Sequence, residues 1–382
     1  MGEAGAVAED RLGPPQVLAL APDDLALFVL NVGDGDGLVL RLPAGGGLPS
    51  PSIVVIDSYD GKKTIALIEA IGPAPLPLVV ATHPHFDHIR GLGAVVTKYG
   101  GVIGEFWDSG FRYTSATYRG LLDLIAARSG AIRFVRPTSG YEAFLGQTQL
   151  TVLSPSIALR NRYDTHGVDV NNASIVIRVT YPVLAPSTQY PAVAGGPAAT
   201  NPKSRTLILG GDAQTDAWSQ VLGEFPHLDA DPKNWVRAIG AGSGASPLAC
   251  DLFKVSHHLS KRGVNLELLE RLGDRTAGAT ASFGPRWLVG SCASGAGSSY
   301  GFPHAIAQDL LREVRDPQAQ SGGHHPADAN LGIHLTAQTL DPGPGPAGSI
   351  AYVVRADGTA NLYRFGDGPG DSVDLARARR VR

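Results

Sequence analysis

Short apolar runs set between glycine- and proline-rich stretches recur along the chain, and their periods predict its elements. Near the start, Leu25, Leu27 and Val29 alternate with further apolar residues and predict a strand over 24–32. Its hairpin partner is expected over 37–42, with Gly33-Asp34-Gly35-Asp36-Gly37 permitting the reversal. Ile53-Val54-Val55-Ile56 predicts a strand that ends in Asp57, and Ile65, Leu67, Ile68 and Ile71 have helical spacing over 62–71. Leu78-Val79-Val80-Ala81 reads as a buried strand. Beyond it come a helix over 89–99, a strand over 102–106, a helix over 116–128, a strand over 132–135 and a hairpin over 141–145 and 149–153. The second half repeats this grammar. Apolar runs over 173–179, 205–209, 248–255 and 287–290 alternate with helical spacing over 215–222, 264–272 and 305–314. Ala356-Asp357-Gly358 then marks a hairpin between strands over 349–355 and 359–365. Strands with helices between them, given twice, predict an α/β (α+β) architecture of two sheets packed face to face with helices outside.

Composition adds loops to this picture. The 382 residues include 48 Gly and 28 Pro, and the segments near 182–204 and 226–247 are expected to be insertion loops. Residues 1–22 read as a flexible leader, 23–367 as one large domain and 368–382 as a basic disordered tail. In that tail Arg377, Arg379, Arg380 and Arg382 form either a solvated end or a tether for phosphates. The net charge of −3 gives no global attraction to nucleic acid or anionic membrane, so any polyanion must be held by a local patch. No apolar run approaches the roughly 18 residues of a membrane span. The N-terminus places Glu3, Glu9 and Asp10 before any Arg and lacks the apolar core of a signal peptide. Cys250 and Cys292 stand apart without a paired spacing. A cytoplasmic location is expected.

The chemistry concentrates in Thr82-His83-Pro84-His85-Phe86-Asp87-His88, directly after a strand. Imidazole and carboxylate are ligands for zinc and similar ions, and three His and one Asp within six residues point to a metal site. Alternation along extended chain puts His83 and His85 on one side, and a turn at Phe86 brings Asp87 and His88 to a second position. That arrangement suits two divalent ions, the geometry used to activate water for hydrolysis.

Two further segments complete a resemblance. Gly211-Asp212 follows a later strand, and Lys254-Val255-Ser256-His257-His258-Leu259-Ser260 follows another. With the first motif, they resemble the metallo-β-lactamase superfamily in order and approximate spacing over roughly residues 24–315. Asn31-Val32-Gly33-Asp34-Gly35-Asp36, Asn171-Asn172-Ala173-Ser174 and Tyr300-Gly301-Phe302-Pro303 are similar to segments of the hydrolase domain of the competence protein ComEC and its stand-alone soluble relatives. The chain departs from that pattern at Asp34 (Gln in the relatives), Leu259 (Gly) and Phe302 (His), with His304 close by, and it shows no channel-forming membrane part.

The resemblance implies an αββα sandwich with the site at one edge between the sheets. It also implies two divalent metal ions, Zn2+ or Mn2+. His83 and His85 would hold the first, Asp87, His88 and a late histidine the second, and Asp212 would bridge them. Of the late pair His258 is favoured as ligand and His257 for contacts behind it, with the reverse assignment open. The first ion's remaining ligand is sought in Asn171 or Asn172, with His166 upstream; an amide oxygen favours harder ions, which keeps manganese level with zinc. Asp57 would orient a ligand histidine through a hydrogen bond. Asp87 would align the attacking water, and His304, Lys261 and Tyr300 are candidates to serve the leaving oxygen.

The function expected is a metal-dependent hydrolase, favoured as a phosphodiesterase or nuclease that grips the phosphate backbone of nucleic acid without sequence preference. Ser260-Lys261-Arg262 beside the ligands favours phosphate. The same core would also support a small-substrate hydrolase acting on a thioester, lactone or β-lactam, and a metal-stabilised interaction protein without turnover is the third class. A protein partner is conceivable and unidentified from sequence.

Overall fold

A computed structural model describes residues 12–72, 74–166, 169–183, 203–225, 246, 248–273, 285–293, 298–315, 332–336 and 348–381. Among these residues the strands form two sheets. The larger runs, in spatial order, β1 (Leu12–Gln16), β17 (Ala378–Val381), β16 (Ala360–Arg364), β15 (Ile350–Val354), β2 (Leu25–Val29), β3 (Gly37–Leu42), β4 (Ser52–Ser58), β5 (Leu76–Ala81), β6 (Ile103–Asp108) and β7 (Arg133–Val135). The smaller runs β14 (Ile333–Leu335), β13 (Trp287–Gly290), β12 (Leu252–Lys254), β11 (Arg205–Leu209), β10 (Val176–Tyr181), β9 (Thr148–Ser154) and β8 (Glu142–Leu145). Both sheets are mixed. Strands β2 to β4 pair antiparallel and β4 to β7 parallel, while β8 to β11 pair antiparallel and β11 to β14 parallel.

Alternation explains why the strands are apolar on both faces. In β2, Leu25, Leu27 and Val29 enter the layer between the sheets, where they meet Ile177, Val179, Leu207 and Leu209 of the other sheet. Ala26 and Phe28 point the other way, into a core capped by α1 (Gly61–Ala70), α2 (Phe86–Ile89), α3 (Leu92–Tyr99) and α4 (Ala116–Ala126). On the far side Ile208, Phe253 and Leu288 face α5 (Ile157–His166), α6 (Thr215–Glu224), α7 (Leu266–Arg271) and α8 (Ala305–Arg315). A one-residue register slip would exchange these faces, so three separate cores fix the pairing. The αββα sandwich implied by the resemblance is the fold this chain adopts.

Two expectations about the ends are corrected over their described parts. Leu12–Gln16, inside the expected leader, pairs with Ala378–Val381, inside the expected disordered tail, and β17 pairs on its other side with β16. Ala378 and Val381 are buried in that pairing, which anchors the tail, while Arg377 and Arg380 stay exposed. Helix α5 and strand β14 were not anticipated. The expected insertions fall largely outside the described residues, as do residues 1–11, His227, His324, His325 and Arg382.

The parallel strands point their C-terminal ends one way in each sheet, and the polar segments follow those ends. The segment after β5 meets the segment before β10 where Ile175 donates its N–H to Thr82 O at 2.9 Å. Asp212 N–H donates to Ser174 Oγ at 3.0 Å, and His257 N–H to Gly211 O at 3.0 Å. These bonds draw segments from both sheets into one cluster.

Candidate metal centre

Asp57, at the end of β4, organises the first part of the cluster. It is fully buried with φ 54, a left-handed conformation that costs a non-glycine residue about 1 kcal/mol or more. Its Oδ1 accepts the backbone N–H of Thr82 at 2.8 Å, and its Oδ2 accepts Thr82 Oγ1 at 2.6 Å and His88 Nδ1 at 2.7 Å. The proton of His88 is thereby fixed on Nδ1, which aims Nε2 into the cluster. His85 stands before the first residue of α2, so one helical turn delivers Asp87 and His88. His83 Nε2 lies 3.1 Å from His85 Nδ1, so these two share a side as the alternation predicts.

Asp212 separates two positions. Its Oδ1 is 3.2 Å from His88 Nε2 and 3.6 Å from His258 Nε2, while its Oδ2 is 3.8 Å from His83 Nε2 and 3.7 Å from His257 Nε2. Asp87 Oδ2 completes the first of these sets, 3.5 Å from His258 Nε2 and 3.8 Å from His88 Nε2. Ligand atoms of Asp87, His88, Asp212 and His258 all lie within 4.8 Å of one another.

The two late histidines differ in what holds them. His258 Nδ1 donates to the carbonyl oxygen of Ser291 at 2.9 Å; a carbonyl can only accept, so Nε2 is the nitrogen left to face Asp212 and Asp87. Although burial opposes its charge, these carboxylates raise the imidazole above its ordinary value. Gln214 Nε2 donates to His257 Nδ1 at 3.0 Å, which leaves the His257 proton on Nε2, facing Asp212. Both histidines, and Leu259 after them, have positive φ of 51, 51 and 63. Leu259 occupies the position of glycine in the resembling motif, and its burial against Gly290 offsets the backbone cost.

The donor chemistry fits a divalent cation. His88 Nε2, Asp212 Oδ1 and His258 Nε2 are buried, face one another and have no hydrogen-bond partner. Burial opposes charge on Asp212, but His88, His258 and His257 around it hold its carboxyl well below the usual range. Burial likewise opposes charge on His88, and the carboxylates of Asp212, Asp57 and Asp87 overcome it and raise the imidazole well above its ordinary value. His83 is held well below, by burial and then by His88. Ionised carboxylates so placed attract a cation strongly, and a metal would replace the proton on His88.

Asp36, Asp57 and His88 also approach within 4.8 Å, but the carboxylates of this group are already committed. Asp36 pairs with the buried Lys254 Nζ at 2.5 Å and accepts Ser291 Oγ; it lies 3.9 Å from His88 Nδ1 and 3.9 Å from His258 Nδ1. It supports the candidate ligands His88 and His258 from behind. Asp36 and Lys254 sit inside motifs legible in the sequence, yet nothing in their spacing shows that the hairpin turn reaches the end of β12.

Asn172 is a correction. Its Oδ1 accepts the N–H of Gln214 at 3.2 Å and of Ala217 at 3.1 Å, which caps α6 and commits the oxygen expected as a ligand. The Oδ1 of Asn171 is buried without a hydrogen-bond partner. His304 Nδ1 accepts the N–H of Ile306 at 3.3 Å at the start of α8, and Lys261 is exposed beyond the ligand segment. Tyr300 is exposed and stacks on Phe302 at 5.7 Å. His166 ends α5, and His334 is buried in β14, remote from the ligand segments in sequence.

Residues 52–187 match the family model described as the metallo-beta-lactamase superfamily, whose members are generally metal-dependent hydrolases. No curated protein matches the chain in sequence. Among solved structures, the metallo-beta-lactamase fold protein YhfI from Bacillus subtilis is similar at 12% identity and TM-score 0.36, over 77% of this chain and 92% of that one. A variant of the CmlA beta-hydroxylase aligns at 12% identity and TM-score 0.42, over 88% of this chain and 55% of that one. A metallo-beta-lactamase from Hirschia baltica aligns at 12% identity and TM-score 0.28, over 56% and 87%.

Proposed function

We propose that this chain, whose residues 52–187 match the metallo-β-lactamase superfamily model, is a phosphodiesterase that cleaves DNA with two divalent ions. The observation that supports this reading is the set of buried, mutually facing donors His88 Nε2, Asp212 Oδ1 and His258 Nε2, with His83 and His257 near the other oxygen of Asp212 and Lys261 and Arg262 exposed just beyond His258 in the chain. Ions held there supply Lewis acidity and lower the pKa of a water molecule. His83 and His85 would hold one, and His88, His258 and Asp87 the other, with Asp212 between.

The protein's own groups then have distinct tasks. Among the proposed ligand carboxylates Asp87 remains part exposed, at 27%, which supports a role for it in orienting the attacking water. His257 carries its proton on the nitrogen that faces Asp212 and is itself 17% exposed, which lets it donate to a phosphate oxygen. Lys261 and Arg262 supply cations for the strand's phosphates, without reading bases. The wider motif set, with its resemblance to the ComEC hydrolase domain, supports a phosphodiester over a β-lactam or thioester.

The test is hydrolysis of end-labelled DNA by metal-stripped protein given back manganese or zinc, beside Asp87→Ala and His85→Ala. Metal-dependent cleavage, abolished in both variants, is the expected result. Two bound metals with no cleavage of any DNA would sink this reading.

A further inference from the structure

Two aromatic rings stand exposed beside the metal centre. Phe86 lies between the ligand residues His85 and Asp87 and is 52% exposed; Tyr300 is 69% exposed. Their faces are thereby available to a ligand beside the centre. Each is the outermost member of a stack. Phe302 lies 5.8 Å from the His258 ring at 33°, and Tyr300 lies 5.7 Å from Phe302 at 28°, so a column of rings runs from a ligand outward to solvent. Phe86 meets Tyr59 edge-on at 6.2 Å, and the Arg90 guanidinium sits 4.9 Å above Tyr59 and 5.8 Å from Phe86.

One turn holds both stacks. The Asp34 carboxylate accepts the backbone N–H of Ser299 and of Ala293, each at 2.9 Å, which fixes the chain entering Tyr300. Next to it, Gly35 packs so closely on Tyr59 that a Cβ there would lie 2.8 Å from the ring. The hairpin turn between β2 and β3 therefore ties the Tyr300 column to the Tyr59, Phe86 and Arg90 group. Arg90 brings positive charge to the Phe86 group, and Lys261 and Arg262 are exposed three and four residues after the ligand candidate His258.

Resting on the phosphodiesterase reading, we propose that Phe86 and Tyr300 form a base-stacking clamp that selects single-stranded DNA. An unpaired base offers its face to a ring, whereas a duplex keeps its faces stacked inside the helix. The cations complement the phosphates on either side of a stacked base. No hydrogen bond to a base edge is required, so the clamp tolerates any sequence.

The test is fluorescence anisotropy of the metal-loaded, full-length protein with a phosphorothioate oligothymidylate, which resists hydrolysis, and with its duplex. The single strand is expected to bind at least about tenfold tighter than the duplex. Phe86→Ala and Tyr300→Ala should each weaken single-strand binding by about tenfold, the size of one lost stack, and spare the duplex. Phe86→Tyr and Tyr300→Phe should restore it, and Arg90→Ala should lower the salt slope by about one. Alanine variants that bind like wild type, or that lose strand and duplex equally, would overturn the clamp and leave the phosphodiesterase reading standing. No binding of any DNA by the wild-type protein would remove both.

Discussion

The two sides of Asp212 are built differently. On the Oδ1 side, His88 is locked by Asp57, His258 by the Ser291 carbonyl, and both imidazoles are buried with their Nε2 atoms turned inward. Toward Oδ2, His83 and His85 touch each other, His85 is part exposed against Tyr113 at 5.3 Å, and His257 points a proton at the carboxylate. On the first side His88 and His258 are buried and Asp87 is 27% exposed, while on the second His83 is buried and His85 and His257 are part exposed. Under the two-ion reading proposed above, such a contrast suits one tightly held ion on the Oδ1 side and one weaker ion on the other. The tautomers, set by a carbonyl in one case and an amide in the other, make the difference between two adjacent histidines.

Substitutions can break this contrast in order of size. His258→Ala should remove one metal equivalent and lower hydrolysis by more than the ~10–100-fold that losing an outer partner costs; metal analysis with turnover would show it. His257→Ala should keep both equivalents and slow turnover by about a hundredfold, the low end for a lost proton donor. Equal metal loss in the two variants would erase the distinction drawn from their hydrogen bonds. Asp57→Asn should weaken the tight ion by about 10–100-fold, since Asp57 fixes the Nδ1 proton of His88. Asn172→Ala should cost about 1 kcal/mol in thermal unfolding, the worth of a helix cap, and leave metal content unchanged. A lost equivalent there would restore Asn172 as a ligand.

Much of this was legible in sequence where chemistry and period coincide. The histidines and aspartate after β5 are close in the chain, so strand alternation and one turn bring them together, and the apolar runs gave the strands on which they sit. What was not legible depends on contacts far apart in sequence. Asp36 meets Lys254 across 218 positions, and no local pattern marks that pair. Asn172 looks like a ligand from its place in a motif, but its oxygen is taken by the start of α6, which only packing reveals. Strand β1 is hidden because Pro14 and Pro15 argue against a strand; an edge tolerates them, since one side needs no N–H. Its partner β17 has four residues and reads as a charged tail.

The account rests on two unequal metal positions about Asp212. A competitive metal titration of the stripped protein, read by elemental analysis of the bound ion, addresses that directly. Two equivalents in two steps are expected, with the tighter step lost in His258→Ala and the weaker step lost in His83→Ala. One equivalent, or two that vanish together in both variants, would contradict it.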